Sequence, residues 1–110
     1  MEEIKVNPST VAMNEDNGKG CLTDVYNAVK DFHVAFNHPH PNTLTQMTKE
    51  RKKARAAWMQ EEINEFLLSN TIAEDVDALL DCLYFVIGSA VEENSLKQIE
   101  EGVNTLIRRS

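Results

Sequence analysis

This 110-residue chain predicts an all-α fold, an antiparallel bundle of about four helices. Three observations carry that prediction. Apolar residues recur at three- and four-residue steps in four separate stretches, which is the period of a helix face. No stretch alternates apolar and polar residues as a half-buried strand would. Breaks fall between the stretches: Pro39 and Pro41 after the first, Asn70-Thr71 after the second, Asn94-Ser95 after the third.

Residues 1–20 show no sustained periodicity and read as an N-terminal arm ending at Gly18-Lys19-Gly20; residues 21–110 read as the folded domain. That glycine pair is not a phosphate loop, because the spacing and the preceding strand are missing. The first helix is expected over 22–36, with Leu22, Val25, Tyr26, Val29, Phe32 and Phe36 in one stripe. NHPHPNT then forms a loop. His33, His38 and His40 fit no common zinc spacing, and exposed loop histidines are the simpler expectation.

The second helix is expected over 47–69. Met59, Ile63, Phe66 and Leu67 form its apolar side, while Trp58, Glu62, Glu65 and Ser69 follow one another along the adjacent side. The third is expected over 72–93 and to be the most buried, since Ile72, Val76, Leu79, Leu80, Leu83, Ile87, Ala90 and Val91 make a wide apolar face. Glu74, Asp77, Asp81, Tyr84 and Gly88 form its one narrow polar stripe. Asn94 suits a left-handed cap. Ser95 with Gln98 suits a capping box for the fourth helix, whose apolar side is Leu96, Ile99, Val103, Leu106 and Ile107.

The net charge of −7 argues against nucleic-acid binding, which needs a basic face. No apolar run approaches a membrane span, and the first ten residues are too polar for a secretory signal. Two distant cysteines, Cys21 and Cys82, suit reduced thiols; together these features point to the cytoplasm. The small core points to assembly with further copies, as a homodimer or homotetramer.

Charge is unevenly spread. Lys49 to Arg55 carries five basic residues, whereas Glu61 to Tyr84 carries seven acids and no base. Acids among apolar neighbours need a counter-charge, and a metal ion, a Lys or Arg from elsewhere, or water could supply it. Glu62 and Glu65 are three residues apart on one helix, and Glu74 and Asp77 are three apart on the next. Four converging carboxylates would suit Mg²⁺, with Mn²⁺ as a substitute, and would not suit zinc. The plain alternatives are solvated surface acids, a capping box from Thr71 to Glu74, and, for Asp77 and Asp81, a pairing with an arginine of the second helix or of another copy. Asp75 is expected to face solvent.

Glu61-Glu62-Ile63-Asn64-Glu65 followed by Glu74-Asp75-Val76-Asp77 resembles the EExxE…ExxD signature of the all-α nucleotide pyrophosphohydrolases, which include MazG, phosphoribosyl-ATP pyrophosphohydrolase and the dimeric dUTPases. DVYNAVKDFHVAFNHP before it and ALLDCLYFVIGSA after it are similar to the flanking runs of that superfamily, so the likeness spans roughly residues 22–107. The eight residues between Glu65 and Glu74 are few for the superfamily. The resemblance implies a MazG-like bundle, with Glu62, Glu65, Glu74 and Asp77 as Mg²⁺ ligands. Glu61, with Glu62, would serve the catalytic step by joining the metal cluster or orienting the attacking water, and Asp81 would stand beside the site. The implied reaction splits a nucleoside triphosphate into monophosphate and pyrophosphate, for pool sanitation or dUTP removal. The rivals are a phosphoribosyl-ATP pyrophosphohydrolase and an inactive helical binding or regulatory module. Lys52, Lys53 and Arg55 are candidate phosphate contacts, and Trp58 a candidate pocket wall; each has a plainer reading as a solvated charge or a core ring.

Overall fold

The computed structural model describes residues 18–109. The described residues form four helices, α1 (Gly18–Ala35), α2 (Lys49–Leu68), α3 (Ile72–Glu93) and α4 (Leu96–Arg109), with no strand among them. The expected all-α bundle is what forms. The helix α1 takes in residues 18–20, so the glycine pair starts a helix rather than ending an arm. The rest of the expected arm lies outside the described residues.

Local chemistry sets the helix ends. Asn37 takes a left-handed conformation after α1, and its neighbour His38 bonds back to the His33 carbonyl at 2.8 Å. The Thr48 hydroxyl caps α2 by accepting from the Arg51 amide. The Thr71 hydroxyl caps α3 by accepting from the Glu74 amide, while the Glu74 carboxylate accepts from the Asn70 amide at 2.8 Å. This is the expected capping box, shifted back by one residue on its return bond. Asn94 ends α3 in the left-handed region, as its type favours. Ser95 departs from expectation: its hydroxyl turns back to the Ala90 carbonyl.

The core is small and gathers at one end of the bundle, where Tyr26 and Val29 of α1 meet Ile87, Ala90 and Val91 of α3. Helix α3 supplies most of the buried residues. It is not buried all round in a single chain, however. Ile72, Val76, Leu79, Leu83 and Val86, a 4-3-4-3 stripe, stay exposed, with Leu79 at 52% and Ile72 at 77%. Within one chain α3 packs chiefly against α2 and α1, and nothing in the described residues covers that third side.

The α2–α3 hairpin positions everything that follows. A loop of three residues (69–71) makes the two helices antiparallel neighbours. The α2 stripe Arg51, Arg55, Trp58, Glu62 and Glu65 therefore runs opposite the α3 stripe Glu92, Gly88, Phe85, Asp81 and Asp77, in that order, and Ser69 meets Asp75 at the hairpin turn. The loop after α1 is sewn to the far end of α3, where Glu93 accepts from the Thr45 amide through its carbonyl and from the Met47 amide through its carboxylate.

Candidate active site

Helical phase puts Glu62 and Glu65 on the side of α2 that faces α3, and Asp81 meets them from the opposite helix. One carboxylate oxygen from each lies within 4.8 Å of the others. Glu62 is half-buried, and its Oε2 is fully buried with no hydrogen-bond partner. Burial, and then the close carboxylates of Glu65 and Asp81, push its pKa up to about 7. Burial, and then the charges of Glu62 and Asp81, also raise the nearby Cys82 thiol, which is half-buried and not in a disulfide. A buried anion with an orphaned oxygen is costly. An all-oxygen donor set of this kind fits a hard divalent cation such as Mg²⁺.

Glu65 also opens onto a second hollow. A cleft of about 420 Å³ is lined by Glu65, Glu74 and Asp77, with Asn64, Ser69 and Ala78 in its walls. The four acids expected to converge are thus divided: Glu62 and Glu65 meet Asp81, while Glu74 and Asp77 share the adjoining cleft with Glu65. Glu74 is engaged by the Asn70 amide, and Asp77 is exposed. Glu61 is exposed on the neighbouring side of α2. Asp75, expected in solvent, is half-buried and accepts a hydrogen bond from the Ser69 hydroxyl, because it faces the α2 terminus.

One helical turn from Glu62 the chemistry changes. Trp58 stacks near Phe85, with centroids 6.0 Å apart, and Phe85 lies edge-on to Tyr84. These rings, with His33, His38 and Arg55, line a cavity of about 260 Å³. Arg55 corrects its expected role as a free phosphate contact. It is only 4% exposed and fully engaged, donating to the Ser89 hydroxyl, the Phe85 carbonyl and the Glu92 carboxylate. Lys52 and Lys53 remain exposed.

Sequence reasoning missed the group at the centre of this end. The Glu92 side chain is wholly buried and takes Arg51 Nε at 2.7 Å, Arg51 Nη2 at 2.9 Å and Arg55 Nη1. His33 Nε2 stands 3.1 Å from the same carboxylate. Burial alone would raise the Glu92 carboxyl, but the Arg51 hydrogen bond and the two guanidinium charges hold it below its ordinary value. His33 is not the exposed loop histidine expected from its neighbours; it is 2% exposed on α1. Burial lowers its pKa, and its bonds to the Val29 carbonyl and Glu92 work against that. The signal was available, since Glu92 follows Gly88 by four residues and extends the polar stripe of α3 by one more turn.

The chain is a member of the MazG-like all-α pyrophosphohydrolase superfamily. Within it, a sequence model of the phosphoribosyl-ATP pyrophosphohydrolase family matches residues 29–106, more than half of the chain, and the chain belongs to that family. No curated protein and no solved structure matches it. No helix among the described residues is long and apolar enough to cross a membrane.

Proposed function

We propose that this protein hydrolyses a nucleoside triphosphate between its α- and β-phosphates in a Mg²⁺-dependent reaction, giving the monophosphate and pyrophosphate. The observation that carries this reading is the buried, unpartnered Glu62 oxygen among Glu65 and Asp81, one turn from an aromatic cavity. A bound Mg²⁺ would neutralise the triphosphate and acidify a bound water. Glu62 and Glu65 would hold it, with Asp81 on one side and Asp77 and Glu74 on the other. Glu61, beside them, would orient the water. The phosphates would then lie over the acids and the base toward Trp58, which precedes Glu62 by four residues on α2.

The family match favours phosphoribosyl-ATP as a second substrate reading, and that molecule carries the same triphosphate. The test is to incubate the protein with Mg²⁺ and a panel of nucleoside triphosphates, dUTP and phosphoribosyl-ATP, and to measure pyrophosphate and monophosphate. Turnover of phosphoribosyl-ATP alone selects the second reading. Orthophosphate alone, or no turnover of any of them, overturns both and leaves a binding or regulatory module.

The same reading includes a second copy docked on the exposed stripe of α3. Its 4-3-4-3 spacing is that of a helix seam, and the buried core of one chain is small. Sedimentation should show a dimer or tetramer, and Leu83→Glu should shift it to monomer. A cytoplasmic setting accords with two free cysteines.

A further inference from the structure

The cavity beside the carboxylates is walled by groups that do not hold themselves in place. The Arg51 and Arg55 guanidiniums stand over the Trp58 ring at 5.2 and 5.6 Å, and Arg55 also stands 5.8 Å from the centre of Phe85. Both arginines, and His33, converge on the single carboxylate of Glu92. Arg51 Nη2 also donates to His38 Nδ1, so the outer histidine of the cavity is aligned through the same anion. One buried acid thus sets the position of residues from all three helices around the cavity: His33 on α1, Arg55 and Trp58 on α2, and Phe85 through Arg55 on α3.

The backbone is shaped to allow this. Gly88 lies one turn before Glu92, and a Cβ there would come within 2.5 Å of Arg55 Nη2 and 3.1 Å of His33 Cε1. The absence of a side chain lets the Arg55 guanidinium and the His33 ring lie flat on α3 and reach Glu92. Such a grip suits recognition more than chemistry, because Glu92 itself is wholly buried beneath the cations and faces no reacting atom.

We propose that Glu92 is a positioning residue for ligand recognition, holding Arg51, Arg55 and His33 so that Trp58 presents its ring as the stacking wall of the cavity. This rests on the nucleotide reading of the site. The ligand part it serves is a flat, uncharged heteroaromatic ring of nucleobase size, for which an aromatic wall is the matching chemistry. His38, which Arg51 Nη2 reaches at Nδ1, lines the cavity beside that wall.

Trp58 is the only tryptophan of the chain, so its fluorescence reports the cavity directly. The experiment titrates AMP, CMP, GMP and UMP into the full-length protein without metal, and compares wild type with Glu92→Gln and Arg51→Lys. Quenching of wild type by at least one monophosphate is expected, with the affinity weakened by about tenfold in Glu92→Gln, the scale on which a misplaced wall acts. With substrate and Mg²⁺, KM should rise far more than kcat falls. If Glu92→Gln does not fold, Arg51→Lys carries the test, since it keeps the charge and loses the two-pronged grip. A folded variant that binds monophosphates as wild type does, or a wild type that none of the four quenches, overturns the proposal. Quenching that weakens in Glu92→Gln, without turnover of any triphosphate, removes the hydrolase reading alone and leaves the role of Glu92 supported.

Discussion

The two ends of the α2–α3 furrow hold the same kind of group in opposite states. Glu92 and Glu62 are acids on facing helices, both taken partly or wholly from water. Glu92 is met by two arginines and a histidine, and its pKa is held down. Glu62 is met by two further acids, and its pKa is pushed up to about 7. The lesson concerns where a protein completes its own electrostatics. At the Glu92 end each charge has an internal partner, so that end is structural and shapes a cavity. At the Glu62 end acids face acids across the furrow, which is the arrangement of a site finished by something that arrives.

Removing each acid is the strongest way to break that comparison. Glu92→Ala should destabilise the protein by about 3–5 kcal/mol, because it leaves Arg55 and His33 buried, and Arg51 partly so, without their anion. Urea denaturation of the metal-free protein measures this. Glu62→Gln should leave metal-free stability unchanged or higher, since it relieves repulsion among Glu62, Glu65 and Asp81. A Glu62→Gln variant as damaged as Glu92→Ala would mean that Glu62 has an internal partner after all.

Added cation should separate the ends next. Mg²⁺ at a hundred times its dissociation constant should stabilise wild type by about 2.7 kcal/mol. Thermal melts with and without Mg²⁺ should show this in wild type and lose it in Glu62→Gln and Asp81→Asn. Glu92→Gln should keep the Mg²⁺ response. Glu74→Gln should lower stability through its cap and affect the response less, because its carboxylate is committed to the Asn70 amide.

A smaller effect tests the packing at the Glu92 end. Gly88→Ala places a methyl against Arg55 and should cost about 1–3 kcal/mol, as overpacking does. Urea denaturation checks it. Gly102, where nothing lies within 4 Å of an added Cβ, is the control: Gly102→Ala on α4 should be neutral or stabilising.

The contrast also explains what could be read from residues alone. The four helices follow from apolar periodicity, and Thr48, Thr71 and Asn94 mark ends that local hydrogen bonding enforces. The acidic half of the furrow was legible because Glu62 and Glu65 share a helical phase and Asp81 sits in an apolar run. Its pairing was less so: placing Asp81 rather than Asp77 against Glu62 depends on the axial offset of two helices, which spacing within each helix does not fix. The Glu92 end was hidden for another reason. Arg51 sits in the first turn of α2, where the helix dipole disfavours cations, and Arg55 follows one turn on. Read locally, they look like solvated charges. Their real partner is 37 residues away from Arg55 in the chain. The violated local preference was the available clue, since such conflicts concentrate where tertiary contacts or function override them.

Acidity sharpens the comparison further, and the two ends should answer it with opposite sign. Glu62 has a folded pKa near 7 against an ordinary 4.5, so the folded state holds more protons there than the unfolded state. Its contribution should therefore fall as pH rises from about 4.5 through 7 and recover as pH drops. Glu92 has a lowered folded pKa, so its contribution is complete above 4.5 and fades only as pH falls below that value. His33 complicates the middle of the range, because its lowered pKa makes folding less favourable as pH falls below 6.5. Subtraction removes it. The metal-free stability difference between wild type and Glu62→Gln, followed by urea denaturation from pH 5 to pH 8, should grow in favour of the variant as pH rises. Saturating Mg²⁺ should reverse that trend, since a bound cation favours the ionised carboxylate. A difference that stays flat across the range would place Glu62 in contact with water, and the furrow would then lose the asymmetry on which the proposed chemistry depends.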